Sequence, residues 1–191
     1  MQRKGKVLDL TLETEQIEVI NQIKEIYNYV SNNTKFRKLI PEVRMNISGS
    51  LPNATSKEEI AGIEGRITII GGYPHASGEV KFNVSDHTAR LILSVKEFDD
   101  SINFVTNLRY KDKYVKRIQE ETNLTTFEFL RESQPDAIKH EERSTMRWLI
   151  EESINKMGEI PDLIWDKGSI GKEPMIRLFS KTSKDMIEKL N

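Results

Sequence analysis

Residues 65–90, GRITIIGGYPHASGEVKFNVSDHTAR, pass within 26 residues from an apolar strand through a glycine-rich turn to a second strand and the start of a helix. Arg66 feeds Ile67, Ile69 and Ile70, the short apolar run of a strand over 66–70. Gly71, Gly72, Pro74 and Gly78 predict a turn or hairpin over 71–78. Val80 and Phe82 flank Lys81 in strand alternation. Ser85 or Asp86 is placed to cap a helix carrying Leu91, Ile92, Val95 and Phe98. A connection this short cannot hold a crossover helix, so the sheet is expected to be mixed rather than purely parallel. The same stretch holds two guanidiniums (Arg66, Arg90), one ammonium (Lys81) and two imidazoles (His75, His87), equipment for holding an anion.

Outward from this stretch, strands and helices alternate. On the N-terminal side, residues 1–40 read as a polar lead-in, with a short strand over 7–12 and an amphipathic helix over 13–30. That helix carries Ile17, Ile20, Ile23, Tyr27 and Val30 at three- and four-residue steps. Strand 41–49 follows. A helix is predicted from Ser56 to about residue 63, because Ser56 and Glu59 have capping-box spacing. On the C-terminal side the pattern predicts strand 104–108, helix 111–121 and strand 125–130, then a charged exposed stretch over 134–143. Helix 144–157, with Trp148, Leu149 and Ile154 inward, is stopped by Gly158. Strand 162–165, a loop over 168–174, strand 175–179 and helix 182–190 complete the chain. Such alternation specifies an α/β sheet covered by helices, and residues 41–191 form the main domain.

Composition excludes several classes. The chain has 191 residues, 37% apolar and 31% charged, enough for one soluble domain with a single core. No apolar run is long enough to span a bilayer, so no membrane partner is expected. There are 29 basic and 30 acidic residues, without the basic excess of a nucleic-acid binder. There is no cysteine, hence no disulfide framework and no thiolate metal site, and the cytoplasm is the expected compartment. No histidine pair has metal-ligand spacing, and the single helix before Pro41 leaves no room for a helix-turn-helix.

Four groups are candidates for binding. Arg66 opens an apolar strand and Arg109 closes one, and strand ends are where α/β folds present ligand groups. Any one of Arg66, Lys81, Arg90 and Arg109 taken singly is usually a solvated surface charge. Asn46, Asn53 and Asn107 lie near loops or strand ends, where they either orient a heterocycle or cap turns. His87 sits with Ser85 and Arg90 at a helix start favourable to anions. His75 and His140 read as surface residues. In the loop GSIGKEP, Gly168 and Gly171 are separated by two residues rather than four, and Glu173 follows Lys172. A tight turn is therefore favoured over a phosphate loop. No nucleophile elbow is present. Spacing alone stops at an α/β domain with an anion-binding pocket.

These stretches resemble the ThiN family of thiamine-phosphate synthases. The matching pieces are PEVRMNISGSLPNA (41–54), IAGIEGRI (60–67), FNVSDHTAR (82–90), NLRY (107–110) and PDLIWDKGSIGKEPMIRLF (161–179). ERSTMRWLI at 142–150 departs from the pattern, with Arg143 and Leu149 where small residues are expected. The resemblance implies a three-layer α/β/α fold similar to the class II aldolase-like fold. It implies that hydroxymethylpyrimidine pyrophosphate condenses with hydroxyethylthiazole phosphate to give thiamine monophosphate and pyrophosphate. Magnesium is the expected ion, with unknown protein ligands. Arg66 and His87 match the family's active arginine and histidine. Asn46, Asn53, Lys81, Ser85, Arg90, Asn107, Arg109, Gly168, Gly171, Lys172 and Glu173 are the implied substrate-binding set. A fused N-terminal hydroxymethylpyrimidine phosphate kinase is an implied neighbour, with helix 13–30 as the junction. A homodimer is expected from base rates. The alternative is a thiamine-phosphate-sensing domain of a transcription regulator. An aldolase-like lyase is a third reading, from fold alone.

Overall fold

The computed structural model describes residues 2–134 and 142–191, apart from the side chains at 2–11, 133 and 142–144. In chain order the elements are α1 (Gln2–Ser31), β1 (Ile47–Ser50), β2 (Ile60–Ile63), β3 (Ile67–Ile70), β4 (Tyr73–Ala76), β5 (Val80–Phe82), α2 (His87–Lys96) and β6 (Phe104–Arg109). They continue with α3 (Asp112–Glu121), β7 (Thr126–Glu128), α4 (Glu142–Met157), β8 (Leu163–Asp166), β9 (Met175–Ser180) and α5 (Ser183–Leu190). Seven strands make one sheet in the order β5-β2-β1-β6-β9-β8-β7, and β3 with β4 forms a separate hairpin. Within the large sheet β7 and β8 run parallel and the other neighbours antiparallel. The sheet is thus mixed, as expected.

Period-two alternation divides the core into two layers. Phe104 and Leu108 of β6, Leu163 and Trp165 of β8, and Ile176 and Leu178 of β9 pack with α1, α3 and α5. Val105, Ile164 and Phe179 point the other way, against α2 and α4. This is the three-layer α/β/α arrangement. Leu149 of α4 is fully buried in the second layer, a packing role for a residue that departs from the family pattern. On α1 the buried residues are Val19, Ile23, Ile26 and Val30. Burial of each contributes about 1.5–3 kcal/mol.

Several expectations are corrected. Residues 7–12 belong to α1 rather than to a strand. The inward stripe of α1 is rotated from the one expected, and Ile17 is 59% exposed. The Ser56–Glu59 cap is present, with the Glu59 carboxylate accepting from the N–H groups of Thr55 (2.8 Å) and Ser56 (3.0 Å). It caps a single 3-10 turn, Lys57–Glu59, after which the chain enters β2 instead of a helix. The strand expected from residue 41 begins only at Ile47, preceded by one bridge from Met45 to Ile67. Arg66 lies before β3 in a left-handed turn, with φ 69°. The exposed stretch expected at 134–143 falls mostly outside the described residues, as does His140, and Gln134 is buried. No described helix is long and apolar enough to cross a membrane.

Close packing of β1 against its neighbours depends on Gly49. A Cβ added there would lie 2.6 Å from the Phe104 ring and 3.3 Å from Ile23 of α1. Gly49→Ala is expected to cost about 1–3 kcal/mol, read as a lower urea midpoint with an unchanged m value.

Candidate functional site

The start of β1, the ends of β2, β6 and β8, and the start of β9 meet at one end of the sheet. Asn46, just before β1, is 3% exposed and acts as a strand partner for Ile63. Its Oδ1 accepts from the Ile63 N–H at 3.0 Å, and its Nδ2 donates to the Ile63 carbonyl at 3.4 Å. The Asn46 N–H donates to Asn107 Oδ1 at 2.8 Å, while Asn107 Nδ2 donates to the Arg44 carbonyl at 3.0 Å. Both side-chain amides therefore serve main chain.

Main chain 39–44 is held by three of the residues singled out in the sequence. Both Glu173 carboxylate oxygens accept N–H groups, from Glu42 at 2.8 Å and Val43 at 3.0 Å. Arg66 Nη1 donates to the Val43 carbonyl at 2.6 Å. Arg109 Nε donates to the Ile40 carbonyl at 2.8 Å. In return, Arg44 Nη1 donates to the Gly65 carbonyl at 3.2 Å, beside Arg66. Arg66 and the Lys172–Glu173 pair thus share Val43 as a neighbour.

The GSIGKEP loop is a tight turn. Ser169 and Lys172 exchange main-chain hydrogen bonds of 3.0 and 2.9 Å, and the Gly168 N–H donates to Asp166 Oδ1 at 2.8 Å. Gly168 and Gly171 both have positive φ, and a Cβ at Gly168 would collide with the Lys172 carbonyl. Amides at 168, 169 and 172 are engaged within the fold, as the tight turn favoured from the sequence requires. Lys172 is exposed, with no ion pair among the described residues. Ile170 at the tip is fully exposed.

At the start of α2, three buried hydroxyls form a chain. Ser85 Oγ bonds Thr88 Oγ1, which lies 2.6 Å from Ser48 Oγ on β1. Gly62 permits this approach, since a Cβ there would sit 3.0 Å from both Ser48 Oγ and Ser85 Cβ. Asn46 Nδ2 lies 3.5 Å from the same point, so Ser85 and Asn46 border one space. His87 opens α2 and is half-buried. Asp86 occupies the cap position but makes no capping bond. Its carboxylate instead accepts from Lys57 and from Arg90, at 2.9 Å to the latter. The Lys57 hydrogen bond, with the Arg90 charge behind it, holds the Asp86 carboxyl below its ordinary range.

Two residues of the expected set stand apart. Lys81 is exposed and bonds Glu64 at 2.8 Å, a hydrogen bond that raises its ammonium pKa. Asn53 lies beyond the far end of β1 in a left-handed turn with φ 55°, the turn role of the two considered for it. A cleft of about 260 Å³ also lies at that far end, between Ile102, Asp162, Phe179 and Lys189. Lys189 is spent there on Asp162 (2.7 Å) and Asp185 (3.1 Å), so the cleft is a polar seam away from the residues above.

Sequence reasoning missed a buried ionic group. Asp166 Oδ2 accepts from Arg177 Nη1 at 2.7 Å, and Asp166 Oδ1 from Arg131 Nε at 2.6 Å. Asp166 is 0% exposed and Arg177 2%. The available signal was a lone charge inside each of the apolar strands LIWD and MIRLFS. Burial alone would raise the Asp166 carboxyl, but the Arg177 charge and the Arg131 hydrogen bond outweigh it and keep the carboxyl below its ordinary range. Burial pulls the Arg177 guanidinium down from its ordinary value.

A family model described as thiamine-phosphate synthase ThiN matches residues 22–191. The chain is 33% identical over 154 residues to the bifunctional thiamine biosynthesis protein ThiDN of Methanocaldococcus jannaschii, covering 80% of this chain and 35% of that protein. It is 30% identical over 169 residues to the thiamine-phosphate synthase ThiN of Methanothermobacter thermautotrophicus, covering 88% and 87%. The chain therefore spans about a third of the bifunctional relative and most of the other. Among solved structures, the C-terminal domain of a phosphomethylpyrimidine kinase superposes with a TM-score of 0.85 at 34% identity, covering 92% of this chain and 98% of that one. An aldolase II superfamily protein from Pseudomonas syringae gives a TM-score of 0.50 at 9% identity, covering 92% and 71%, a likeness of fold alone.

The depressed Asp166 carboxyl links stability to pH. Its native pKa lies below the unfolded value near 3.8, so its contribution is complete well above pH 3.8 and is lost as pH falls below that value. Asp166→Asn is expected to cost about 3–5 kcal/mol at pH 7, by leaving two guanidiniums without their anion. It should also flatten the loss of stability below pH 3.8 in acid titrations followed by circular dichroism.

Proposed function

The chain belongs to the thiamine-phosphate synthase ThiN family, and we propose that it condenses hydroxymethylpyrimidine pyrophosphate with hydroxyethylthiazole phosphate to give thiamine monophosphate and pyrophosphate. The observation that carries this reading is the gathering of Arg66, Glu173 with its neighbour Lys172, and Asn46 around main chain 42–46. In the proposed reaction the thiazole nitrogen attacks the methylene carbon of the pyrimidine substrate. The carbon–oxygen bond breaks, and its electron pair leaves on pyrophosphate. Negative charge grows on the departing oxygen, so fixed cations beside it lower the barrier.

Arg66 gives one N–H to the Val43 carbonyl, and a guanidinium has five. The others are proposed to meet the pyrophosphate, together with the Lys172 ammonium. His87 is proposed to donate a hydrogen bond or proton to the leaving group. Ser85, which borders the same space as Asn46 next to Gly62, is proposed to face the pyrimidine. Arg90, Arg109, Asn107 and Glu173 shape the site through the carboxylate and main chain they hold. Lys81, paired with Glu64, and Asn53, in a turn beyond the far end of β1, are not given a role in the proposed reaction.

Among the described residues no group of three or more acidic or histidine side chains could hold a metal ion. The Glu173 and Asp166 carboxylates are taken up by N–H donors. Magnesium is proposed to arrive on the pyrophosphate itself rather than in a protein cage. A hydroxymethylpyrimidine phosphate kinase is the proposed supplier of the first substrate, in line with the bifunctional name of one relative. The proposed setting is cytoplasmic, and the proposed assembly a homodimer.

Purified protein mixed with both substrates and Mg²⁺ is expected to form thiamine monophosphate, followed by chromatography. Ligand binding without product would replace the synthase with a sensor. Arg66→Ala is expected to lower turnover by about tenfold to a thousandfold, with a thermal melt run beside it because Arg66 also holds Val43. Turnover near the parent's would remove Arg66 from the chemistry.

A further inference from the structure

The ionic group beneath the GSIGKEP turn carries more positive charge than it needs to hold the fold together. Asp166 accepts four hydrogen bonds, from Arg131 Nε (2.6 Å), Arg131 Nη2 (3.2 Å), Arg177 Nη1 (2.7 Å) and the Gly168 N–H (2.8 Å). Its acceptor capacity is filled. Among the described residues two guanidiniums face one carboxylate, an excess of one positive charge. Arg177 Nε is buried and has no hydrogen-bond partner among the described residues. The Arg131 side chain is 12% exposed, so the group opens to solvent at Arg131. A buried cation without its counter-charge is costly, and a pair built only for stability would use one arginine.

Position adds the second argument. Arg177 lies opposite Asn107 in the β6–β9 register, on the sheet face shared with α2 and α4. Asn107 holds Asn46, which borders Ser85. On its other side Asp166 binds the first glycine of the turn that presents Lys172. The excess charge therefore lies between the Asn46–Ser85 space and Lys172.

We propose that Arg131 and Arg177, bridged by Asp166, form an anion subsite that takes a phosphoryl group of a substrate. Arg131 presents the N–H groups that Asp166 leaves unused, and Arg177 supplies charge from behind. Asp166 is a positioning residue that fixes both guanidiniums and the turn. A planar guanidinium fork suits phosphoryl oxygens better than an ammonium does. The assignment rests on the synthase reading for the identity of the anion, and pyrophosphate and orthophosphate stand for the two substrates' phosphoryl groups.

The test is calorimetric titration of the full chain with inorganic pyrophosphate and with orthophosphate at low ionic strength, for the parent, Arg131→Gln and Arg131→Lys. The parent is expected to bind at least one of the two anions. Arg131→Gln is expected to weaken that binding by roughly tenfold to a hundredfold. Arg131→Lys should recover part of it; both variants are expected to melt below the parent because each loses a hydrogen bond to Asp166, so affinities are compared well below the thermal midpoints. A loss confined to orthophosphate assigns the subsite to the thiazole substrate, and one that includes pyrophosphate assigns it to the pyrimidine substrate. No anion binding by the parent, or a lower melting temperature in Arg131→Gln with parental affinity, overturns the proposal. Should Arg131→Gln fail to fold, parental affinity in Arg131→Lys would overturn it as well. Parent turnover is measured separately. Product formed with anion affinity insensitive to Arg131 ends the subsite and leaves the synthase. No product with affinity that falls on Arg131 substitution ends the synthase and leaves the subsite.

Discussion

Main chain 39–46 crosses the end of the sheet without joining a long strand, so its polar groups cannot be satisfied by a ladder. The carbonyls of Leu39, Ile40, Val43 and Arg44 and the N–H groups of Glu42, Val43 and Asn46 all find partners brought from elsewhere. Pairing such groups is obligatory, because an orphaned one forfeits the free energy of a hydrogen bond. That demand recruits Arg66, Glu173 and the β6 pair Asn107 and Arg109 from three separate parts of the chain. Drawing them to one place also draws their neighbours Lys172 and Asn46. The scaffold and the candidate site are thus built by the same hydrogen bonds.

Two consequences follow for how the site is tuned. Arg44 and Arg66 both sit at positive φ, with values of 70° and 69°, where a residue with a side chain is uncommon. Each is over-determined by a side-chain hydrogen bond to main chain on the facing segment, Arg44 to Gly65 and Arg66 to Val43. The reciprocal pair clamps the approach to β1 against the approach to β3. Beneath the neighbouring turn, Asp166 plays a comparable part, since one carboxylate fixes two guanidiniums and the first amide of GSIGKEP.

Much of this was legible in the sequence. The strands β6, β8 and β9 stood out as apolar runs with polar ends, and α2, α3 and α5 as periodic segments behind cap or turn residues. A mixed sheet was expected from short connections, but the one around 71–79 contains β4 and builds the separate β3–β4 hairpin rather than the seven-strand sheet. Elsewhere a local signal was true but misleading. Ser56 and Glu59 do form their cap, but the backbone then extends because Ile60–Ile63 is needed between β1 and β5. Residues 7–12 look extended by alternation, and the helix that follows absorbs them. In the site, residue types were informative while partners were not. A guanidinium aimed at a carbonyl and one aimed at a phosphate have the same letter. Arg131, Asp166 and Arg177 meet only because β8 pairs with β9 and the segment after β7 folds over both, a relation that spacing along the chain does not encode.

The centre of the sheet is assembled from distant parts of the polypeptide. Ile47 lies opposite Thr106, and Phe104 lies opposite Ser180. While the chain is being synthesised, β1 and β6 can pair before β9 is made, and β6 keeps one bare edge until β9 emerges. A nascent chain that stalls before β9 therefore exposes a hydrogen-bonding edge flanked by Phe104, Val105 and Leu108, a template for unwanted strand addition. Closure of the central sheet waits on β9, and Met175–Ser180 act as its latch.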